Sequence, residues 1–472
     1  GTSIGFFADG KLKRIEAAGG PPQVLADADA PFGGAWNRDG TILFAPSTFG
    51  PLFRIPATGG KPLPATKLGE REDSSIWPCF LPDGRHFVFL ADASSTLDHA
   101  IRMGSLDSLE SVKLVPGAVT NLGFAPPDWL LFVRAGTLVA QRLDVKGRKV
   151  SGDPIPLGDQ VAQADTQHGF DFSTSAIGTL VYRSENYESQ LAWFDRAGKR
   201  LSAVGEPARY GHFDLSPDER QVAFERLDAD LRHGNLWLID VVRGSTSRLT
   251  ATTSSDYSPI WSRDGKRILY GSARSGLADV YEMGAGGGGG EKLVFHDGTD
   301  KNVASHSSDG RFALISVITR ATRDDVWLLP LGGGGKPTPL LATRFSEIDA
   351  QLSPDDRWLA YSSDESGRYE VYVQSLADSG TRIRVSTSGG VRPRWRSDGK
   401  VLFFVAGEIL QEAAIRTSPS LEAESPRDLF HLKRMADYAV ARDGRILAAL
   451  PGEDSQPSFA TVVLNWTSGL PK

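Results

Sequence analysis

Short apolar runs recur along this chain between polar turns, and they fall into a repeating order. One run is nearly continuous, as in "RILYGS" from Arg267, "WLAYSS" from Trp358 and "VLFFVA" from Val401. Runs of this length bounded by turn residues predict buried strands. The next run alternates after a small polar cap: "NLWLID" from Asn235, "DVYEM" from Asp279, "DVWLLP" from Asp325, "EVYVQS" from Glu370. A further strand follows a glycine-rich bend, as in "EKLVFHD" or "TRIRVST". Ahead of each continuous run stands a tight turn: "SPDE" at Ser216, "SRDG" at Ser262, "SPDD" at Ser353, "RSDG" at Arg396. Pro presets φ at the first turn position, Asp hydrogen-bonds the backbone just ahead, and Gly accepts positive φ. A first strand ends just before this turn, so each unit predicts four strands.

Aligned on the last residue of that first strand, the anchors are Trp36, Phe80, Phe124, Phe172, Leu215, Trp261, His306, Leu352, Trp395 and Val440. Their spacings are 44, 44, 48, 43, 46, 45, 46, 43 and 45 residues. A period of ~45 is that of a four-stranded propeller blade. The expected fold is therefore all-β, with about eleven β-propeller blade units. That exceeds the roughly four to eight blades of one ring, so two rings are expected. The least regular unit, residues 162–208, carries "STSAIG" where the turn should stand and marks the expected seam. The expected domains are a first propeller at 1–208 and a second at 209–472. The first unit starts at its second strand ("IGFFADG"), and a missing upstream blade would make six plus six.

The "SPDG"-type hairpin followed by "D-V-Y/W" strands resembles the TolB-type, WD40-like (PD40) repeat of bacterial propellers, across about residues 30–445. The opening "IGFFADGKLKRIEAAGGPPQVL" and the closing "TVVLNWTSGL" look like the propeller region of bacterial receptor-like serine/threonine kinases. That resemblance implies an extracytoplasmic, non-catalytic sensor or interaction domain, tethered by a membrane helix outside this sequence. Its partner would be an unknown small molecule or an envelope protein. No kinase glycine loop, "HRD" or "DFG" occurs in these residues. A periplasmic TolB-like scaffold and a propeller polysaccharide lyase are the alternative readings.

Composition narrows the classes further. The 472 residues carry 52 Lys and Arg against 58 Asp and Glu, a net charge of −6, so no basic excess points to nucleic acid. No apolar run reaches the ~18 residues of a spanning helix, so no membrane contact by this segment is expected. Cys79 is the single cysteine, which excludes an intrachain disulfide and a multi-cysteine metal site. Fifty-one glycines and 28 prolines fit a turn-rich β protein.

Candidate chemistry is sparse. "GTSIG" at the chain start matches the nucleophile elbow G-x-S-x-G, but Ser3 runs directly into a strand instead of a strand-to-helix turn. The runs "GAGGGGG" at Gly284 and "GGGG" at Gly332 are followed by strand-like segments, whereas a phosphate loop needs a helix N-terminus. The eight histidines show no metal spacing, so no metal or cofactor is expected. Loop acids Asp256, Asp300 and Glu347 are candidates only for an acidic mouth or a hard cation. The most informative position lies three residues before each anchor, where inner strands enter the ring. There the residue type changes from unit to unit, unlike the turns, and the candidate ligand-binding residues are Trp77, Asn121, His212, Asp349, Arg392 and Asp437. A polar or charged ligand would be fixed by such groups; the alternative is a solvated rim with ordinary ion pairs.

Overall fold

The computed structural model describes residues 2–470 except 94–97, 118–119, 164–168, 176, 186–187, 229–233, 288–289, 320–321, 333–334, 379, 433–436 and 452–458. Its described strands form eleven antiparallel sheets, most of them four-stranded meanders. The chain divides into two compact units, Gly1–Asn186 with Gln456–Lys472, and Tyr187–Ser455.

The repeated turn works as its residue types require. In the second unit Ser262 Oγ donates to Asp264 (2.6 Å) and accepts the N–H of Arg267 (3.0 Å). Asp264 in turn accepts the N–H of Lys266 at 3.1 Å, and Gly265 closes the turn with φ +67°. The same arrangement recurs at Ser216, Ser307 and Ser353. Each turn delivers the chain into a second strand that is buried almost throughout, such as Arg267–Ser272, Trp358–Ser363 and Val401–Ala406. Blade faces then pack on one another: Ala223 and Leu236 of one sheet meet Trp261, Ile268 and Tyr270 of the next.

Among the described residues the second unit holds six sheets. Their inner strands are Tyr210–Leu215, Asp256–Trp261, Asp300–His306, Glu347–Leu352, Val391–Trp395 and Tyr438–Val440. Each touches the next in that order, and the last touches the first, so the ring is closed. The closing blade is assembled from both ends of the unit. Tyr438–Val440 and Ile446–Pro451 supply its inner half, and Ser189–Phe194 and Arg200–Ala208 its outer half.

The first unit holds five sheets among the described residues. Its sheet with Phe172–Thr174 and Thr179–Ser184 takes a third strand, Phe459–Leu464, from the chain's far end. The sheet of Ser3–Ala8, Lys11–Glu16 and Gln23–Asp27 is three-stranded.

The expected boundary at 208/209 is therefore corrected. The repeat anchored at Phe172 is split, with its first two strands in the first unit and its last two in the second. The repeat anchored at Val440 is split the other way. Exchange of these halves pairs both otherwise open blades, which removes the liability of an unpaired edge, and it moves residues 189–208 into the second unit.

Candidate functional site

A backbone device repeats at the position three before the anchor. The inner strands shift register there, between Tyr257 and Ile260, Ile348 and Gln351, and Val391 and Arg394. Ser258, Asp349 and Arg392 sit on these bulges with φ of +50°, +57° and +55°. Left-handed backbone at non-glycine residues costs about 1–3 kcal/mol and gathers at functional positions; bulges re-aim the side chains they carry. Here the backbone is the repeated feature while the side chain varies.

In the second unit this position surrounds a cavity of about 240 Å³ at one end of the inner strands. His212, Asp349, Arg392 and Asp437 all line it, with Arg394 and Asp324 beside them. Trp77 and Asn121 belong to the first unit and do not join this group. Trp77 shares the bulge geometry, with φ +52°, but packs edge-on against Phe32 at 6.5 Å. Asn121 is tied to the backbone of Phe170, donating to its carbonyl and accepting its N–H, both at 2.9 Å. Both are engaged within the first unit.

Within the group, Asp437 plays a different part from the one its sequence position suggests. It is 1 % exposed. Its carboxylate accepts from Tyr438 N (2.8 Å), Phe213 N (3.4 Å), His212 Nδ1 (3.3 Å) and Arg394 (3.5 Å). Burial alone would raise its pKa, but the His212 hydrogen bond and the Arg394 charge outweigh it and hold the carboxyl well below the usual carboxylate range. For His212, burial works against protonation, yet the bond and charge of Asp437 raise its pKa. His212 remains half-exposed to the cavity. Asp349 accepts the N–H of Arg392 at 2.9 Å, and the Arg392 carbonyl accepts from Tyr438 Oη at 2.7 Å. Asp437 and Asp349 are thus ring fastenings, while His212 and Arg392 are the variable side chains on the cavity wall.

Residues one before the anchor, passed over in the sequence, form the next layer inward. Arg394 lies there with Asp214. Burial pushes the Asp214 carboxyl up to about 6, against the N–H of Trp261 (2.8 Å) and the charge of Arg394, which lower it. The folded pKa exceeds the unfolded one, so stability falls as pH rises from about 4 to 6 and stays reduced above. Asp214→Asn keeps an acceptor for Trp261 and removes the charge. It should stabilise the protein by about 1–3 kcal/mol at pH 8 and leave it nearly unchanged at pH 4; denaturant titrations at the two pH values check this. A signal for this layer existed, because Asp214 and Arg394 are charged residues within strands otherwise apolar at their anchors.

The three loop acids are each engaged within the protein. Asp256 is fully buried and held by Thr252 (2.8 Å) and Arg274 (3.3 Å). Glu347 is engaged by Thr343 Oγ1 at 2.5 Å, and Asp300 accepts the N–H of Ala278 at 2.9 Å. No group of three or more His, Cys, Asp or Glu that could hold a metal is present among the described residues. Ser3 lies in a strand and donates to Glu16 at 3.0 Å; Gly1 lies outside the described residues. Strands Lys292–Phe295 and Thr338–Leu341 follow the two glycine runs, of which 288–289 and 333–334 lie outside the described residues. His306, at an anchor, is packed and 8 % exposed. Burial pushes the Cys79 thiol up to about 11, which disfavours the reactive thiolate.

Residues 196–320 match the family described as the TolB beta propeller domain. Among solved structures, the chain is similar to a putative TolB from Agrobacterium tumefaciens, at 16 % identity and TM-score 0.44 over 59 % of this chain and 99 % of that one. It is similar also to TolB from Acinetobacter baumannii, at 14 % identity and TM-score 0.40 over 66 % and 81 %. The tricorn protease matches at 11 % identity and TM-score 0.34, over 88 % of this chain and 46 % of that one. No helix among the described residues is long and apolar enough to cross a membrane.

Proposed function

We propose that this chain, a β-propeller protein with TolB-type repeats, is a non-catalytic binding module of the bacterial cell envelope. In this reading it serves as the extracytoplasmic sensing portion of a receptor-like kinase. The carrying observation is the cavity of the second unit, where His212 and Arg392, the latter on a left-handed bulge, stand beside the buried carboxylate of Asp437. A rigid ring with variable wall residues is how one scaffold comes to recognise different partners. The family match over residues 196–320 supports a binding or scaffold role. The kinase connection rests on the terminal stretches alone, residues 4–25 and 461–470.

The ligand of this cavity carries polar or charged groups, because its wall presents Arg392 and Arg394 against Asp324, Asp349 and Asp437. Such alternating charge suits a segment of an envelope protein. The family match favours that partner type, which a TolB-like scaffold would share. Thermal-shift and pull-down measurements against envelope extract and synthetic peptides test it. Arg392→Ala should weaken the recovered interaction by about tenfold or more and leave the melting temperature within about 2 °C, as for a surface charge. Asp349→Ala is the poorer probe, because it also frees the N–H of Arg392. Recovery of no partner, or a partner indifferent to Arg392→Ala, would overturn the assignment of this mouth.

A further inference from the structure

The sheet built on Phe172–Thr174 and Thr179–Ser184 stops one strand short. Its third strand, Phe459–Leu464, pairs with Thr179–Ser184, and no described strand takes the fourth place. In the preceding sheet of the same unit Lys149–Gly158 fills that place. The outer side of Phe459–Leu464 therefore presents a row of backbone N–H and C=O groups without a strand to meet them.

Outer strands of the other described sheets are guarded. Each carries a charged residue or a proline, such as Lys113, Lys149, Arg200, Arg248 and Pro339. Such residues discourage one sheet edge from pairing with another. The run FATVVL of Phe459–Leu464 carries neither, and its central Thr461, Val462 and Val463 are β-branched, which suits extended pairing.

The face beside this edge is apolar as well. Val462 pairs with Val181 and Leu464 with Thr179, which puts Val181, Val462 and Leu464 on one face. They are 36, 59 and 69 % exposed. The opposite face is occupied, with Leu180 and Val463 packed among Trp129, Leu131 and Trp466. Together with Ile177 and Phe459, this one sheet holds five of the twelve exposed large apolar residues described. Such a concentration marks an interaction surface.

An open edge calls for an extended strand, since a strand supplies N–H and C=O groups at the matching spacing. A second copy of Phe459–Leu464 meets it without conflict. Antiparallel pairing about a two-fold axis at Val462 sets this residue opposite its own counterpart, and Ala460 opposite Leu464. Residues directly opposite share a face, so the apolar faces of the two copies become continuous and no like charges meet. Thr461 is the sole polar side chain on the strand, which leaves a foreign strand no charge to recognise. Two-fold pairs are also the commonest closed assemblies.

We propose that Phe459–Leu464 is a homodimer contact, pairing antiparallel with the same strand of a second copy and joining two three-stranded sheets into one. The contact belongs to the first unit and does not depend on the partner assigned to the cavity of the second.

Sedimentation equilibrium of the whole chain tests it, and should show a reversible monomer–dimer equilibrium at micromolar concentrations. Val462→Lys should raise the dimer Kd about tenfold or more, because the two-fold register sets the two new charges directly opposite each other. Val462 is exposed, so its own sheet keeps its packing. The register is read separately by cross-linking. Under mild oxidation Val462→Cys should form a covalent dimer about tenfold faster than Val242→Cys, which is 87 % exposed in a turn of the second unit. A monomer even at hundreds of micromolar, a dimer indifferent to Val462→Lys, or equal cross-linking of the two cysteine variants would each overturn the proposal. Exchange protection of residues 459–464 that arises only when envelope extract is added would overturn it in favour of a foreign strand.

Discussion

Asp437→Ala will lower the melting temperature of the second unit by about 10 °C, the equivalent of about 3–5 kcal/mol for breaking a buried charge pair. Four groups lose their acceptor at once: the N–H of Tyr438 and of Phe213, His212 Nδ1 and the Arg394 guanidinium. Asp437 belongs to the last inner strand's approach, whereas His212 and Phe213 belong to the first inner strand. The carboxylate therefore fastens the ring where it closes. Arg394 would be left beside the Tyr438 ring, 5.8 Å from its centroid, with its nearest counter-charge gone. Asp437→Asn should fall between the two, since it keeps one acceptor and loses the charge.

The pH dependence follows from the two shifted groups. The carboxyl of Asp437 has a depressed folded pKa, so its contribution is present above about pH 4 and fades as pH falls. His212 has a raised folded pKa, so its contribution is present below about pH 6.5 and fades as pH rises through the raised value. The gap between the unsubstituted protein and Asp437→Asn should be widest from about pH 4 to 6.5 and narrow on both sides. A gap that stays flat with pH, or an Asp437→Ala melting temperature within about 2 °C of the parent, would show that the closure is held elsewhere.

The blade repeat was legible because turn chemistry is local. Ser262, Asp264 and Gly265 specify their turn with bonds spanning no more than five residues, and the period of such turns counts the blades. The position three before the anchor was also legible as special, through its changing residue type. What the sequence could not show was which of those side chains face the cavity and which turn inward as fastenings. Asp349 and Asp437 have the same composition as ligand-binding acids, yet their carboxylates accept backbone N–H groups of Arg392, Tyr438 and Phe213. Tyr438 is the next residue, but Arg392 lies on a neighbouring blade from Asp349 and Phe213 across the closure from Asp437, at sequence separations of 43 and 224 residues. The pairing of Ser189–Phe194 with Ile446–Pro451 was illegible for the same reason: apolar strands carry no label that selects one remote edge over another.

Removing residues 456–472 will destabilise the first unit by more than any single substitution considered above. Three losses combine. Strand Thr179–Ser184 would lose its partner over six residue pairs, Thr179 with Leu464 through Ser184 with Phe459. Trp466 would vacate the cluster it shares with Trp129, Leu131, Val161 and Leu180, where it is 6 % exposed. The edge of Thr179–Ser184, whose Leu180 is buried, would also become an open template for pairing with other chains. The second loss can be measured alone: Trp466→Ala should cost about 3–5 kcal/mol, as large-to-small changes of a buried tryptophan do. Full removal should therefore exceed about 5 kcal/mol, bring a concentration-dependent tendency to aggregate, and abolish slow hydrogen exchange in the amides of residues 179–184. Calorimetry and exchange by mass spectrometry read these effects directly. Persistent protection at residues 179–184 in the shortened chain would mean that another strand can take the place of Phe459–Leu464, and that the return of the chain to its first unit is dispensable for closing it.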